Sequence, residues 1–129
     1  MSYKRFAQIK ASIRFDNKLR RNRQDPLAPV RDLMDSFNGS LKAAYEPGPF
    51  LCVDEQLIEF HGRVKFKQCI PTKPVKFGIK VFWTTDTENT FPLRCLVYVG
   101  SQTLPETEEA AAGSIPAAVV LNLAAPYLE

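Results

Sequence analysis

A short run of helix-breaking residues, Pro47-Gly48-Pro49, divides the chain into two parts. Proline lacks the N–H that an α-helix bonds in its interior, and the residue before each proline is restricted to extended conformations. A helix therefore cannot continue through this run. The sequence predicts a helical piece over residues 1–49 and a β-rich piece over residues 50–129.

The first piece contains two helical patterns separated by a polar loop. Ser2 can cap a helix over residues 3–15, because a serine side chain at this position accepts a backbone N–H of the first turn. Apolar residues recur at helical spacing again over residues 27–41, and Pro29 is tolerated in a first turn. Residues 18–26 are polar and end at a proline, which is typical of an exposed loop. The cations of this loop either contact phosphates or are simply solvated.

Three apolar runs follow the break and predict strands over residues 50–57, 77–84 and 93–99. The first run has apolar side chains at both parities, which is typical of a central strand. Turn-forming residues at 85–90 connect the second run to the third. The sequence therefore predicts a three-stranded antiparallel meander.

The end of the chain predicts one more helix. Residues 101–113 are acidic and small, which indicates a flexible surface segment. Ser114 can then cap a helix over residues 115–127, with Val119 and Val120 among its inward-facing residues. The predicted order is two helices, the meander and one helix, which is an α+β (α/β) fold.

The basic residues are unevenly distributed, although the formal net charge is only +3. Residues 61–80 contain six Lys or Arg and no acid. Val64 and Phe66 alternate with Lys65 and Lys67, which places both lysines on one face of an extended segment. Such a face can contact DNA phosphates weakly and without reading sequence, or it can be a solvated basic face. The candidate DNA-binding residues are Arg63, Lys65, Lys67, Lys73, Lys76 and Lys80.

Cysteine and histidine usage favours neither a disulfide framework nor a zinc site. Cys52, Cys69 and Cys95 form no CxxC pair and lie in apolar runs, which indicates buried small side chains in a reducing compartment. His61 stands alone and is expected to be solvated in a turn. No apolar stretch reaches the ~18 residues of a membrane span, so no membrane partner is expected.

Residues 54–86 also carry an ordered set of short motifs: Asp54-Glu55-Gln56, Phe60, Gly62-Arg63, Ile70-Pro71, Lys73-Pro74, Lys76, Gly78-Ile79-Lys80 and Asp86. This order resembles the start of the catalytic domain of piggyBac-type transposases, the group from which domesticated piggyBac-derived proteins descend. The resemblance implies that residues 50–129 are the first half of a ribonuclease-H-like (DDE transposase) fold. It implies that residues 1–49 are the end of a DNA-binding and dimerisation region. The expected location is the nucleus or, alternatively, the cytoplasm.

The resemblance gives Asp54 a role as a catalytic residue and metal ligand. Asp54 matches the family's first catalytic aspartate, one of three carboxylates that hold two Mg²⁺ ions at a phosphodiester. The other two are expected beyond residue 129, so we expect a truncated copy that has no catalytic activity alone. Glu55 points to the opposite face of its strand, and Asp86 is explained better by turn chemistry. A lone carboxylate is expected to bind Mg²⁺ only weakly.

Three functional hypotheses follow from these observations. The first is an inactive transposase fragment that binds DNA weakly through residues 61–80. The second is part of an active Mg²⁺-dependent DNA transposase that missing sequence completes. The third is a structural or regulatory interaction module, in which the exposed third strand or the slot of the missing fourth strand accepts another chain or a second copy by edge pairing.

Overall fold

A computed structural model describes residues 1–100, 103 and 115–128 of the chain. Its helices are α1 (Tyr3–Ser12), α2 (Arg31–Ala44) and α3 (Ile115–Ala124), and a 3₁₀ turn at Ala125–Tyr127 follows α3. Its strands are β1 (Leu51–Glu59), β2 (Gln68–Cys69), β3 (Phe77–Asp86) and β4 (Pro92–Val97). These helices and one antiparallel sheet confirm the α+β fold. The predicted surface segment at 101–113 lies, apart from Thr103, outside the described residues.

The chain forms two compact units, Met1–Phe37 and Asn38–Glu129. In the first unit, Ser2 caps α1: its hydroxyl accepts the Arg5 N–H at 3.3 Å, which confirms the predicted cap. α1 ends at Ser12 rather than at residue 15, because Ile13 takes an extended conformation. The predicted domain boundary between residues 49 and 50 stays a prediction.

α2 begins at Arg31, later than the apolar stripe predicts. The Val30 N–H donates to the Leu27 carbonyl at 2.8 Å in a turn that precedes the helix. Pro29 lies within this turn, where its missing N–H leaves no helical hydrogen bond unmade. Leu27 is buried even though it precedes the helix. The prediction from apolar spacing therefore placed the start of this helix about one turn too early.

β3 is the central strand of the sheet. β1 pairs antiparallel with one side of β3, from Leu51 opposite Asp86 to Glu59 opposite Gly78. β4 and the short β2 pair with the other side of β3. The β1–β3–β4 meander is therefore confirmed. β2 is an addition that the sequence did not predict.

β1 is an edge strand among the described residues, so the prediction of a central first strand is wrong. Leu51 and Val53 are half-buried, whereas Cys52 and Ile58, at the other parity, are exposed. α3 contacts β1, β3 and β4, and only one face of β1 receives this cover. The apolar residues at the second parity of β1 thus face solvent and do not report a buried strand.

α3 packs against the sheet and buries Val119 and Leu123, which are one helical turn apart. The Tyr127 hydroxyl follows them and donates to the Leu93 carbonyl of β4 at 2.9 Å. The predicted inward position of Val119 is confirmed, and that of Val120 is wrong because its side chain is 44% exposed. None of the described helices is both long and apolar enough to cross a membrane.

A side chain of α2 closes the outer edge of β4. Asn38 Oδ1 accepts the Cys95 N–H at 2.9 Å and Asn38 Nδ2 donates to the Cys95 carbonyl at 3.0 Å, as a neighbouring strand would. The third predicted strand is therefore not open to edge pairing at this position. Cys95 is buried as predicted, but the predicted burial of Cys52 and Cys69 is wrong, since both are exposed.

Candidate nucleic-acid interface

Asp54 lies in β1 opposite Trp83 of β3, with its side chain exposed to solvent. Its Oδ1 atom accepts the N–H of Glu55 at 2.7 Å. Glu55 is half-buried on the opposite face of the strand, as the alternation of β-strand side chains predicts. The two neighbouring carboxylates therefore cannot act on one bound ion, and Asp54 presents a single carboxylate to solvent.

Glu55 binds two of the six candidate DNA-binding residues, Lys73 and Lys80. Lys80 Nζ lies 2.6 Å from Glu55 Oε2, and Lys73 Nζ lies 3.3 Å from Glu55 Oε1. Lys73 Nζ also donates to the Glu55 carbonyl at 3.2 Å. The hydrogen bond from Lys80, together with the bond from Lys73, holds the pKa of Glu55 below its usual value despite partial burial.

Aromatic rings also surround the Lys80 ammonium. Its Nζ atom lies 4.7 Å from the centre of the Phe82 ring and 5.6 Å from that of Tyr98. Such cation–π contacts add attraction to the Glu55 ion pair. Lys80 is thus held by its own protein on several sides, which sequence reasoning missed. The contact between Lys80 and Phe82 could have been predicted from the sequence, because residues two apart in a strand lie on the same face.

The other four candidates, Arg63, Lys65, Lys67 and Lys76, have exposed side chains and form no ion pair with any described residue. Between them, Val64 and Phe66 are half-buried, so the alternation that predicted one basic face holds here. The segment is a turn that leads into β2, although the alternation resembles a strand. The structure therefore separates the six predicted residues into four exposed cations and two that are bound to Glu55.

Local contacts hold the exposed segment in place at both ends. The Ile70 N–H donates to the Lys76 carbonyl at 2.9 Å and closes the proline-containing turn between them. At the other end the Phe60 ring occupies the space that a side chain at Gly62 would need. Cys69 pairs with Phe77 of β3. The backbone that carries the four cations is thus attached to the central strand of the sheet.

Asp86 is explained by turn chemistry, as the sequence predicts, and its side chain is 1% exposed. Its Oδ1 atom accepts the N–H groups of Glu88 at 2.7 Å and Asn89 at 3.1 Å. Its Oδ2 atom accepts the Gly48 N–H at 2.7 Å and the Tyr45 hydroxyl at 3.2 Å. These bonds, the one from Gly48 first, hold the pKa of Asp86 below its usual value. Both oxygens are committed to the protein, so Asp86 has no free lone pair that faces a metal.

His61 lies in an exposed turn, as predicted, with its side chain 85% exposed. Its Nε2 atom lies 2.9 Å from Glu59 Oε1. Within residues 1–100, 103 and 115–128, no three His, Cys, Asp or Glu side chains form a group that could hold a metal ion. Among the described residues, Asp54 is therefore not part of a group of three or more possible metal ligands.

The site thus consists of an antiparallel sheet that α3 covers, a single aspartate on the first strand of this sheet and an exposed basic segment. The family model described as "Transposase IS4" matches residues 1–129, and the class is therefore that of the transposases. The structure is also similar, at a TM-score of 0.86 and 32% identity, to piggyBac transposase in a cryo-EM structure of its synaptic complex with hairpin DNA. The chain belongs to the transposase family and is piggyBac-like within it.

The similarity extends over all of this chain but only part of the relative. It covers 100% of this chain and 27% of the solved piggyBac transposase chain. The chain thus spans about a quarter of the length of that protein. What the whole relative does therefore does not transfer to this chain without further argument.

Proposed function

We propose that this chain is a DNA-binding piece of a piggyBac-like transposase that contacts phosphates through Arg63, Lys65, Lys67 and Lys76. The observation that carries the proposal is that these four cations are exposed on an anchored segment and have no carboxylate partner among the described residues. The solved piggyBac relative is a complex with DNA, which supports the same class of ligand here. We therefore propose the nucleus as the location of this protein, because DNA is available there.

The proposed contacts are electrostatic. A protein that neutralises phosphates of duplex DNA releases counterions, and log K falls with log salt by about 0.9 for each phosphate. Four contacts predict a slope of about −3.6 and an affinity that is weak at physiological salt. Contacts of this kind position a protein on DNA but do not read its bases. The proposed binding is therefore weak and independent of sequence.

Lys73 and Lys80 take a different part in this proposal. Both are bound to Glu55, so a phosphate would have to compete with a carboxylate for each ammonium group. They position the basic segment on β1 and β3, and add long-range positive potential. We therefore expect their direct contribution to DNA affinity to be smaller than that of the four exposed cations.

We further propose that this chain alone does not cleave DNA. Transposases of the DDE type use divalent metal ions, and we assign Asp54 the role of the family's first metal-binding carboxylate from its place in the Asp54-Glu55-Gln56 motif. Mg²⁺ is held by one or two carboxylates together with substrate phosphates, and a two-metal site needs more carboxylates than that. Asp54 alone does not fit a two-metal site. It suits at most weak binding of one hydrated ion.

A second candidate function is that another polypeptide completes the transposase fold by pairing with this chain. The outer edge of β1 favours it. The Thr87 N–H donates to the Phe50 carbonyl at 3.1 Å, so the backbone groups of Phe50 point toward β3. In an antiparallel strand these groups point to alternate sides from one residue to the next. The N–H and C=O groups of Leu51 and Val53 therefore point away from β3. At Glu55 the same edge is occupied, since Lys73 holds its carbonyl and Asp54 its N–H. A strand that paired along this edge would have to displace both side chains. Size-exclusion chromatography that shows only monomer at high concentration counts against self-pairing.

A gel-shift titration with a duplex of arbitrary sequence tests the DNA proposal. The double variant Lys65→Glu/Lys67→Glu should abolish the shift at about 50 mM salt, because two contacts become repulsive. Lys10→Glu/Lys42→Glu is the matched control for the same change in charge, since both residues are exposed cations outside the segment. Equal shifts for the wild type and the double variant would remove the proposed interface.

A further inference from the structure

We propose that the loop between α1 and α2 is a second phosphate-binding element, with Lys18, Arg20 and Arg23 as the cations that meet DNA. The inference rests on the proposed DNA-binding function and extends it to the first unit of the chain. The arginines of residues 18–31 fall into two groups: Arg21 and Arg31 build the loop, and Arg20 and Arg23 face a ligand.

Two arginines build the loop through forked ion pairs. Arg21 donates to Asp16 from Nε at 2.6 Å and from Nη2 at 2.9 Å. Arg31 donates to Asp25 from Nε at 2.9 Å and from Nη2 at 2.8 Å. Two parallel charge-assisted bonds fix a guanidinium group in distance and in plane. Arg21 and Arg31 are therefore used within the protein.

Side-chain caps fix the backbone between these pairs. Asn17 Oδ1 accepts the Leu19 N–H at 3.0 Å, and Asn22 Oδ1 accepts the Gln24 N–H at 3.0 Å. The Arg20 N–H also donates to the Asn17 carbonyl at 3.0 Å. Asparagine side chains that bond the backbone two residues on stabilise turns. The loop is thus ordered before any ligand binds, which lowers the entropy cost of binding.

Three cations of residues 18–31 are left without an acidic partner among the described residues. Lys18, Arg20 and Arg23 are exposed and form no ion pair with a described residue. Asp16 is the only acid in residues 13–24, and Arg21 already binds both of its oxygens. Within the described part of the chain, an anion that approaches residues 18–23 therefore meets three exposed cations and no free carboxylate of this loop.

The phosphodiester backbone of DNA is the ligand class that fits this arrangement best. Arginine forks bind phosphate oxygens in pairs, and repeated phosphates can engage several cations of one ordered loop together. An anionic lipid surface offers phosphates as well. Adsorption at a membrane surface, however, is typical of cations on the polar face of an amphipathic helix. The three cations here lie in a turn-rich loop that polar side chains hold together.

Fluorescence anisotropy of the full chain with a labelled duplex of about 30 base pairs, over a salt series, tests the inference. The variant Arg20→Gln/Arg23→Gln should make the salt slope shallower by about 1.8, which is two phosphates at about 0.9 each. Its thermal melting should match the wild type, because neither side chain has a partner in the described structure. Lys4→Gln/Arg5→Gln, two exposed cations in the first turn of α1, is the matched control and should change the slope by less than half as much.

The outcomes separate the two proposals. The loop inference alone is overturned if Arg20→Gln/Arg23→Gln keeps the wild-type dependence of DNA affinity on salt while Lys65→Glu/Lys67→Glu still weakens binding. Failure of the wild type to bind DNA at low salt overturns both. Binding to vesicles of anionic phospholipid that depends on Arg20 and Arg23, with unchanged DNA binding, also overturns the inference in favour of a membrane surface.

Discussion

Asp86 and Gly48 lie 38 positions apart and are joined by a hydrogen bond of 2.7 Å from the Gly48 N–H to Asp86 Oδ2. The other oxygen of the same carboxylate accepts two N–H groups of the turn after β3. One buried side chain thus fastens the proline-rich break after α2 to the β3–β4 turn. The break that divides the sequence is a fixed connection and not a loose linker.

Replacement of Asp86 by Ala should destabilise the chain strongly, because three backbone N–H groups and the Tyr45 hydroxyl would lose their acceptor. We expect the melting temperature to fall by about 5 °C or more. Circular dichroism on heating measures this change. Glu88→Ala is the control, since the Glu88 side chain is exposed and only its backbone N–H bonds Asp86. Similar melting of the two variants would contradict the proposed role of Asp86.

The same carboxylate predicts a pH dependence. The hydrogen bond from Gly48, together with those from Asn89, Glu88 and Tyr45, lowers the folded pKa of Asp86 below its ordinary value. A depressed carboxylate pKa contributes stability that is present above the unfolded pKa and is lost as pH falls through the folded pKa. The melting temperature should therefore fall with acidification below about pH 4, and more steeply in the wild type than in Asp86→Asn. Parallel curves would exclude Asp86 as a source of the acid sensitivity.

Glu55→Gln should tighten DNA binding while it slightly weakens the fold. The change removes the carboxylate charge that holds Lys73 and Lys80, whose side chains are 32% and 22% exposed. We expect a loss of about 1 kcal/mol or less in unfolding free energy, because partly exposed ion pairs contribute little. The salt slope of DNA binding should become steeper by up to about 1.8 as two lysines become available. An unchanged slope would mean that neither lysine reaches phosphate.

Thr84→Val should leave the chain as stable as before or make it more stable. Thr84 is fully buried in β3, and its Oγ1 atom has no hydrogen-bond partner among the described residues. Valine has nearly the same shape and removes an unsatisfied hydroxyl. Thr84→Ser keeps the hydroxyl but removes a methyl group, and should cost roughly 1 kcal/mol. A lower melting temperature for Thr84→Val than for Thr84→Ser would show that the hydroxyl has a partner.

A thiol reagent should distinguish the three cysteines in the native chain. Cys52 and Cys69 are exposed, whereas burial raises the pKa of the Cys95 thiol to about 11. We expect two fast-reacting thiols and one protected thiol, followed by mass spectrometry. Asn38→Ala removes the side chain that bonds the Cys95 backbone and should speed labelling of Cys95. Three equal rates in the wild type would contradict the burial of Cys95.

Local patterns predicted the order of the elements apart from β2 and the residues of the basic segment, because helix caps, proline breaks and side-chain alternation depend on neighbours in sequence. The partners of Glu55 could not be found in this way. Lys73 and Lys80 reach it only because β1 and β3 pair in one register and the 60–76 segment returns beside them. The edge position of β1 was missed for a related reason, since apolar residues at both parities do not show which face a helix covers.

Asp86 was predicted to belong to a turn, but its bond to Gly48 depends on a contact between distant parts of the chain. The arginines of the 18–26 loop show the same limit. Arg20 and Arg21 are adjacent and alike in sequence, yet Arg21 forms a forked pair with Asp16 and Arg20 is exposed. Which cation builds the fold and which one faces a ligand is decided by the direction of each side chain in the folded loop.

The central claim is that this piece of a piggyBac-like transposase holds DNA by its exposed cations and does not cut it. The most direct measurement is incubation of the chain with an end-labelled duplex in magnesium buffer, resolved on native and denaturing gels. The account predicts a retarded complex at low salt, intact strands, and the same result for Asp54→Asn. Strand cleavage that is lost in Asp54→Asn, or a duplex that is not retarded at all, would contradict it.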